Sequence, residues 1–164
     1  MQTQKAATIV IKQIEDFVKM LGSNILLDEN LIVTKENKYF LVDKDLKRLT
    51  SGDFFNAGVY VGEIRNGRFV PSFSLLDMIA EKKANKVVVD KKSEWLFICG
   101  RDVFRQGIVK TVGSKKKGGY LLVMNRLNEC LGFGRIVVNL DEKREGIAIE
   151  NVLDIGDFLR RERT

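Results

Sequence analysis

Gly100-Arg101-Asp102-Val103-Phe104-Arg105-Gln106-Gly107-Ile108 is followed, past a Lys115-Lys116-Lys117 loop, by Leu131-Gly132-Phe133-Gly134. Basic side chains are interleaved there with glycines and short apolar runs. The combination predicts a small β-rich module able to hold a phosphate backbone. Around it, apolar runs predict strands at 87–89, 96–99, 108–112, 120–124, 131–138 and 147–151, with helices only at 101–105 and 154–161. Many short strands at near-regular spacing indicate a compact barrel or sandwich, because closure removes exposed edges.

Upstream the pattern changes. Val10, Ile14, Phe17, Val18 and Leu21 fall on one face at helical spacing, opposite Lys12, Glu15, Asp16 and Lys19, so an amphipathic helix is expected, ended by Gly22. Segments 31–34 and 39–42 read as a hairpin, and 43–50 as a short helix with Leu46 and Leu49 inward. A strand at 57–64 meets Asn66-Gly67, a strong hairpin signal, and its return strand is closed by Pro71. Leu75, Leu76, Ile79 and Ala80 then form the inner face of a second helix. The expectation is an α+β protein: an N-terminal α/β domain over 1–85 with helices and an antiparallel sheet, and a β-rich domain over 86–164. No Ser/Gly-rich or Pro-rich linker separates them, so the two should pack on each other.

Composition narrows the chemistry. No apolar run reaches the roughly 20 residues that span a bilayer, and Met1-Gln2-Thr3-Gln4-Lys5 leads into no signal-peptide core. A protein without membrane contact is expected, cytoplasmic, or nuclear and nucleolar in a eukaryote. Up to Asn85 there are 12 Lys and Arg against 11 Asp and Glu; from Lys86 onward there are 16 against 11. The positive excess therefore lies in the second part, as in a polyanion-binding domain, although a merely solvated basic surface would give the same count.

With no histidine there is no imidazole base, nucleophilic dyad partner or metal ligand. Cys99 and Cys130 are too few for a structural zinc site, and both lie in apolar surroundings that predict burial. Asp28, Asp43, Asp45, Asp53, Glu63 and Asp77 show no spacing that marks an acid/base pair or a metal cage. No catalytic residue, metal or cofactor is expected.

Two motifs invite wrong assignments. Gly113-Ser114-Lys115-Lys116-Lys117-Gly118-Gly119 lacks the GxxxxGK[ST] pattern opening a helix, so it is no nucleotide loop; it is a basic hairpin tip, either solvated or on phosphate. Leu131-Gly132-Phe133-Gly134 contains the Gly-Phe-Gly of an RRM motif, but Arg135 and Val138 stand where that motif needs stacking aromatics. These glycines more simply let a strand bend as a barrel closes. In 101–105, Val103 and Phe104 should point inward, leaving Arg101, Arg105 and Gln106 outside to meet RNA, or Arg101 to pair with Asp102 or Glu94. The candidate RNA contacts are Arg101, Arg105, Lys110, Lys115, Lys116, Lys117, Arg135, Lys143, Arg144, Arg160 and Arg161. The last two stand on a helix expected to dock Ile155, Phe158 and Leu159, where arginines also complement the helix dipole.

The stretch 100–108 resembles the glycine-bracketed helix and strand of a PUA domain, and Leu131-Gly132-Phe133-Gly134 a later strand of it. Asp154-Ile155-Gly156-Asp157-Phe158-Leu159-Arg160, together with Gly58-Val59-Tyr60-Val61-Gly62, 69–76 and Trp95-Leu96-Phe97, is similar to the Nip-seven family of ribosome-biogenesis factors, in its archaeal type. The resemblance implies a C-terminal PUA-like β pseudobarrel that binds rRNA or pre-rRNA during large-subunit assembly, without catalysis. It implies an N-terminal domain that meets other ribosome-assembly proteins. The family's basic patch falls nearest Lys143 and Arg144, where Asp141, Glu142 and Glu145 dilute the potential. The protein is expected to be a monomer. An RNA-modifying enzyme or its accessory subunit, and a pure protein-interaction module, are the alternatives.

Overall fold

The structure, a computed structural model, describes residues 2–50, 52, 54 and 56–161, without the side chains of 2–10, 158, 159 and 161. The inward placement of Val10, Phe158 and Leu159, the carboxylate of Asp53 and the RNA contact of Arg161 therefore lie outside the described residues. Among the described residues, no helix is long and apolar enough to cross a membrane.

The first helix, α1 (Gln2–Met20), buries Ile14, Phe17 and Val18 and turns Lys12, Glu15, Asp16 and Lys19 outward. It stops where expected. Gly22 takes φ +70°, and its N–H donates to Lys19 O at 2.8 Å while that of Ser23 donates to Val18 O at 3.2 Å, the paired bonds of a glycine-terminated helix.

Strands β1 (Ile32–Lys35), β2 (Lys38–Leu41), β3 (Val59–Arg65) and β4 (Arg68–Pro71) follow as an antiparallel meander in that order. Asn66 and Gly67 turn β3 into β4 with φ of 51° and 74°, the left-handed pair a tight hairpin requires. Between β2 and β3, α2 (Lys44–Leu49) is capped by Asp43, whose carboxylate accepts the Leu46 N–H at 2.7 Å. The helix is present but lies outside the core: Leu46 is half-buried and Leu49 is 76% exposed, contrary to the inward placement expected of it. Next, α3 (Phe73–Ala80) is capped by Ser72 and buries Leu75, Leu76 and Ile79.

The second sheet contains β5 (Lys86–Val89), β6 (Val103–Phe104), β7 (Ile108–Val112), β8 (Tyr120–Met124), β9 (Cys130–Ile136) and β10 (Ile147–Asp154), ordered β6-β10-β9-β8-β5-β7. Only β5 and β8 run parallel; the other neighbours are antiparallel. The sheet curls into half a barrel. Along β8 the side chains alternate between two cores: Leu121 and Val123 face inside the curl with Val87, Ile149 and Phe97, whereas Leu122 and Met124 face outward onto α1 and α3. Burial on both faces explains why β8 reads as a continuous apolar run.

Two helices complete this part, and they revise the sequence reading. Residues 96–98 of the segment expected as a strand over 96–99 belong to α4 (Lys91–Ile98), and Cys99 follows the helix. Asp90 caps it, accepting the Ser93 N–H at 2.7 Å, and Ser93 and Phe97 are buried one helical turn apart. Cys99 is consequently an exposed residue past the helix end, not a core thiol; Cys130 is buried, and burial pushes its thiol up to about 12. Residues 101–105, expected as a helix, form β6 and the start of a 3-10 turn (Arg105–Gly107). The cause is tertiary. Gly100 ends α4 at φ +84°, and Asp102 accepts the Asn151 N–H at 2.8 Å, drawing the segment along β10. Val103 points inward as expected, but Phe104, the next residue of that strand, is 45% exposed.

The last helix, α5 (Ile155–Arg161), is capped by the buried Asp154, which accepts the Asp157 N–H at 2.9 Å. Phe17 joins the two sheets, packing edge-on against Phe69 of β4 at 5.7 Å and Phe133 of β9 at 5.3 Å.

Candidate nucleic-acid interface

Three segments remote in sequence meet at one end of the half-barrel: the 3-10 turn, the β7–β8 loop and the β9–β10 loop. Asn85 fixes the root of the β7–β8 loop, donating to Tyr120 O at 3.2 Å and accepting from the Ser114 N–H at 2.9 Å. Gly113 must be glycine there, since its φ is +82° and a Cβ would lie 2.3 Å from Asn85 Oδ1.

The loop then binds its neighbour. The Leu140 N–H donates to Lys115 O at 2.9 Å, and the Lys117 N–H donates to Asn139 Oδ1 at 2.9 Å. Arg105 closes the assembly from the other side, its backbone N–H on Gly146 O at 2.9 Å and its guanidinium Nη2 on Leu140 O at 2.7 Å. Both ends of 140–146 are thereby held.

This geometry sorts the expected cations by what they already do. Lys115 pairs with Asp141 at 2.8 Å, and Glu142 accepts from Asn139 at 2.6 Å, so two of the three loop acids are engaged locally. Lys116, Lys117, Lys143 and Arg144 are exposed and have no side-chain partner among the described residues. Lys110, exposed on the edge strand β7 that feeds the loop, is in the same condition. These five ammonium and guanidinium groups are available to an anion. Arg105 is half-buried and clamps the loop, and Arg135 pairs with Glu150 at 3.0 Å.

Arg160 and Arg101 lie elsewhere. Arg160 donates to both oxygens of Asp154, at 3.0 and 2.8 Å, and to Ile98 O at 2.7 Å, tying α5 to the end of α4. Arg101 follows the end of α4, exposed and without a partner among the described residues; Asp102 and Glu94 bond to Asn151 and Asn125 instead of to it. Arg105 lies beside Gly146, just before β10, whereas the Arg101 carbonyl accepts from Asn151 in the middle of that strand. The structure also brings forward residues not selected above: Lys91, Lys92 and Trp95 are all exposed on α4, the lysines in its first turn and Trp95 nearer the end that Arg101 follows. Their spacing at i, i+1 and i+4 would have signalled it once that segment was read as a helix.

A cavity of about 720 Å³ between α3 and the β8–β9 turn has Asp77, Glu81 and Glu129 in its lining. Burial, with Glu81 beside it, raises the Asp77 carboxyl above its ordinary range. An acidic lining repels phosphate from this cavity, whereas the loop end gathers unengaged cations and is the candidate interface. Among the described residues no cluster could hold a metal ion.

Comparison with known proteins agrees with this architecture. Residues 85–163 match the family model described as the UPF0113 PUA domain. A UPF0113 protein of Archaeoglobus fulgidus is 32% identical over 112 residues, covering 66% of this chain and 63% of the relative; the match thus spans somewhat under two thirds of the relative's length. Among solved structures, a conserved PUA-domain protein of Thermoplasma acidophilum superposes with a TM-score of 0.52 at 20% identity, over 80% of this chain and 79% of the other. A hypothetical protein of Pyrococcus horikoshii gives 0.55 at 15% identity, over 94% and 96%. The half-barrel that carries the basic loop end is thus similar, over residues 85–163, to the UPF0113 PUA domain.

Proposed function

We propose that the protein is an RNA-binding assembly factor of the large ribosomal subunit, gripping rRNA or pre-rRNA with the loop end of its PUA domain. The unit over 1–85 recruits other assembly proteins. The protein acts as a monomer in the cytoplasm, or in the nucleolus of a eukaryote, and catalyses no reaction. The observation that carries this reading is the convergence of Lys110, Lys116, Lys117, Lys143 and Arg144, exposed and unengaged, on one end of a fold typically used to bind RNA. The two loops that carry four of them are held to each other and to the 3-10 turn by hydrogen bonds of Arg105, Lys115, Lys117, Asn139 and Leu140.

The test is a salt titration of affinity for a single-stranded rRNA fragment. If five phosphates are neutralised, log K falls against log salt with a slope of about −3.5. The variant K116E/K117E/K143E/R144E should flatten that slope to near −1 and lose affinity uniformly across sequences. Undetectable binding by the native protein at low salt removes the reading. An unchanged slope in the variant moves the interface elsewhere on the molecule. Turnover of the RNA, detected by mass spectrometry, would favour a modifying enzyme instead.

A further inference from the structure

A second surface of the PUA domain is built for a different part of a nucleic acid. Helix α4 spends its inward positions on Ser93 and Phe97, and its outward stripe on Lys91, Lys92 and Trp95. Trp95 is 67% exposed, an unusual use of the most costly apolar side chain on a helix that already has Phe97 to anchor it. Lys91 and Lys92 stand one turn before it, at the i−4 and i−3 positions that neighbour an i residue on a helix surface. Neither lysine side chain has a partner among the described residues; Arg101, exposed as well, follows the other end of the helix.

The acids nearby are turned to other work. Asp90 caps the helix, Glu94 accepts from Asn125 Nδ2 at 3.2 Å, and Asp102 holds the Asn151 N–H. What remains toward solvent is a flat aromatic face bordered by free cations. A phosphate backbone is attracted by the cations, and any base offers a π face to the indole.

We propose that Trp95 is a stacking platform for an unpaired base of single-stranded RNA, with Lys91 and Lys92 on the adjoining phosphates. The proposal rests on the RNA-binding function inferred above and adds a second subsite to it. The two subsites lie at opposite ends of the five-residue strand β8, since α4 begins beside the β8–β9 turn and the basic loops flank the start of β8. At about 3.3 Å per residue this is a separation of roughly 17 Å, so a strand of about ten nucleotides is the natural probe.

Trp95 is the protein's one tryptophan, so intrinsic fluorescence reports this site alone. The full chain is titrated with a single-stranded twelve-nucleotide oligoadenylate and with an abasic oligomer of the same length. The oligoadenylate should quench the emission and the abasic oligomer should leave it nearly unchanged. Trp95→Ala should weaken oligoadenylate binding by about 5- to 150-fold with its salt slope intact, and Trp95→Phe should recover part of the loss. For a strand that reaches both subsites the native slope should steepen to about −4.9, and Lys91→Ala with Lys92→Ala should reduce it by about 1.4. Circular dichroism confirms folding, which an exposed side chain leaves intact. Native protein that binds with the expected slope but shows neither quenching nor an effect of Trp95→Ala overturns this subsite and leaves the loop-end reading standing. Loss of a protein partner in Trp95→Ala with RNA affinity unchanged also overturns it. Absence of any RNA binding removes both.

Discussion

Gly132 shows how a single residue sets the shape of the binding domain. It lies in β9 at φ +144°, and a Cβ there would stand 1.9 Å from the carbonyl oxygen of Leu153 on β10. Gly134, two residues on, leaves room for Ile149 and Glu150, which would meet a Cβ at 2.5 and 2.6 Å. The Leu131-Gly132-Phe133-Gly134 motif is thus where β9 and β10 approach closely at their irregular register, and no base-stacking strand. Gly132→Ala should cost at least about 2–3 kcal/mol, read as a lower urea midpoint, because neither backbone can yield cheaply. A native-like midpoint would show that this approach does not constrain the barrel. The scaffold role of these glycines was legible in the sequence. The clamp made by Arg105 was not, because its partners, Leu140 and Gly146, belong to a loop whose path is set only by the closed sheet.

At the scale of elements, α4 decides how the domain presents its charge. Leu96 to Cys99 is an apolar, β-prone run, and read locally it predicts a strand. The helix forms because Asp90 caps it and because Phe97 fills the inside of the curled sheet, a tertiary demand that overrides propensity. The Ser93 backbone N–H, the largest influence on it, holds the Asp90 carboxyl below its ordinary range, and burial opposes this more weakly. A group with a depressed folded pKa contributes stability above its unfolded value and loses it as pH falls through the folded one. Asp90→Ala should therefore cost about 1 kcal/mol near neutral pH, and the gap from the native protein should shrink as the solution is acidified below pH ~4. Urea midpoints across that range test it; a gap independent of pH would assign the loss to packing. The remaining elements were readable for local reasons: Gly22 ends α1, Asn66-Gly67 turns β3 into β4, and apolar spacing places α3. The short strand β6 was not readable, since two residues carry no period and its partner, β10, lies more than 40 residues away.

Over the whole molecule, two apolar clusters share the second sheet as a wall, and Phe17 stands on the N-terminal side of it against Phe133. The sequence placed the charge excess beyond Lys86 correctly but could not sort it, because ion pairing is a property of the fold: Lys115, Arg135 and Arg160 are engaged, while Lys116, Lys117, Lys143 and Arg144 are not. On the proposed function, RNA lies across the loop end of the half-barrel. Ultraviolet crosslinking of the full chain to a single-stranded rRNA fragment, with the linked peptides mapped by mass spectrometry, locates it. Under this proposal, crosslinks are expected within 110–119 and 137–146. Crosslinks confined to the four-stranded sheet of β1 to β4 would contradict it.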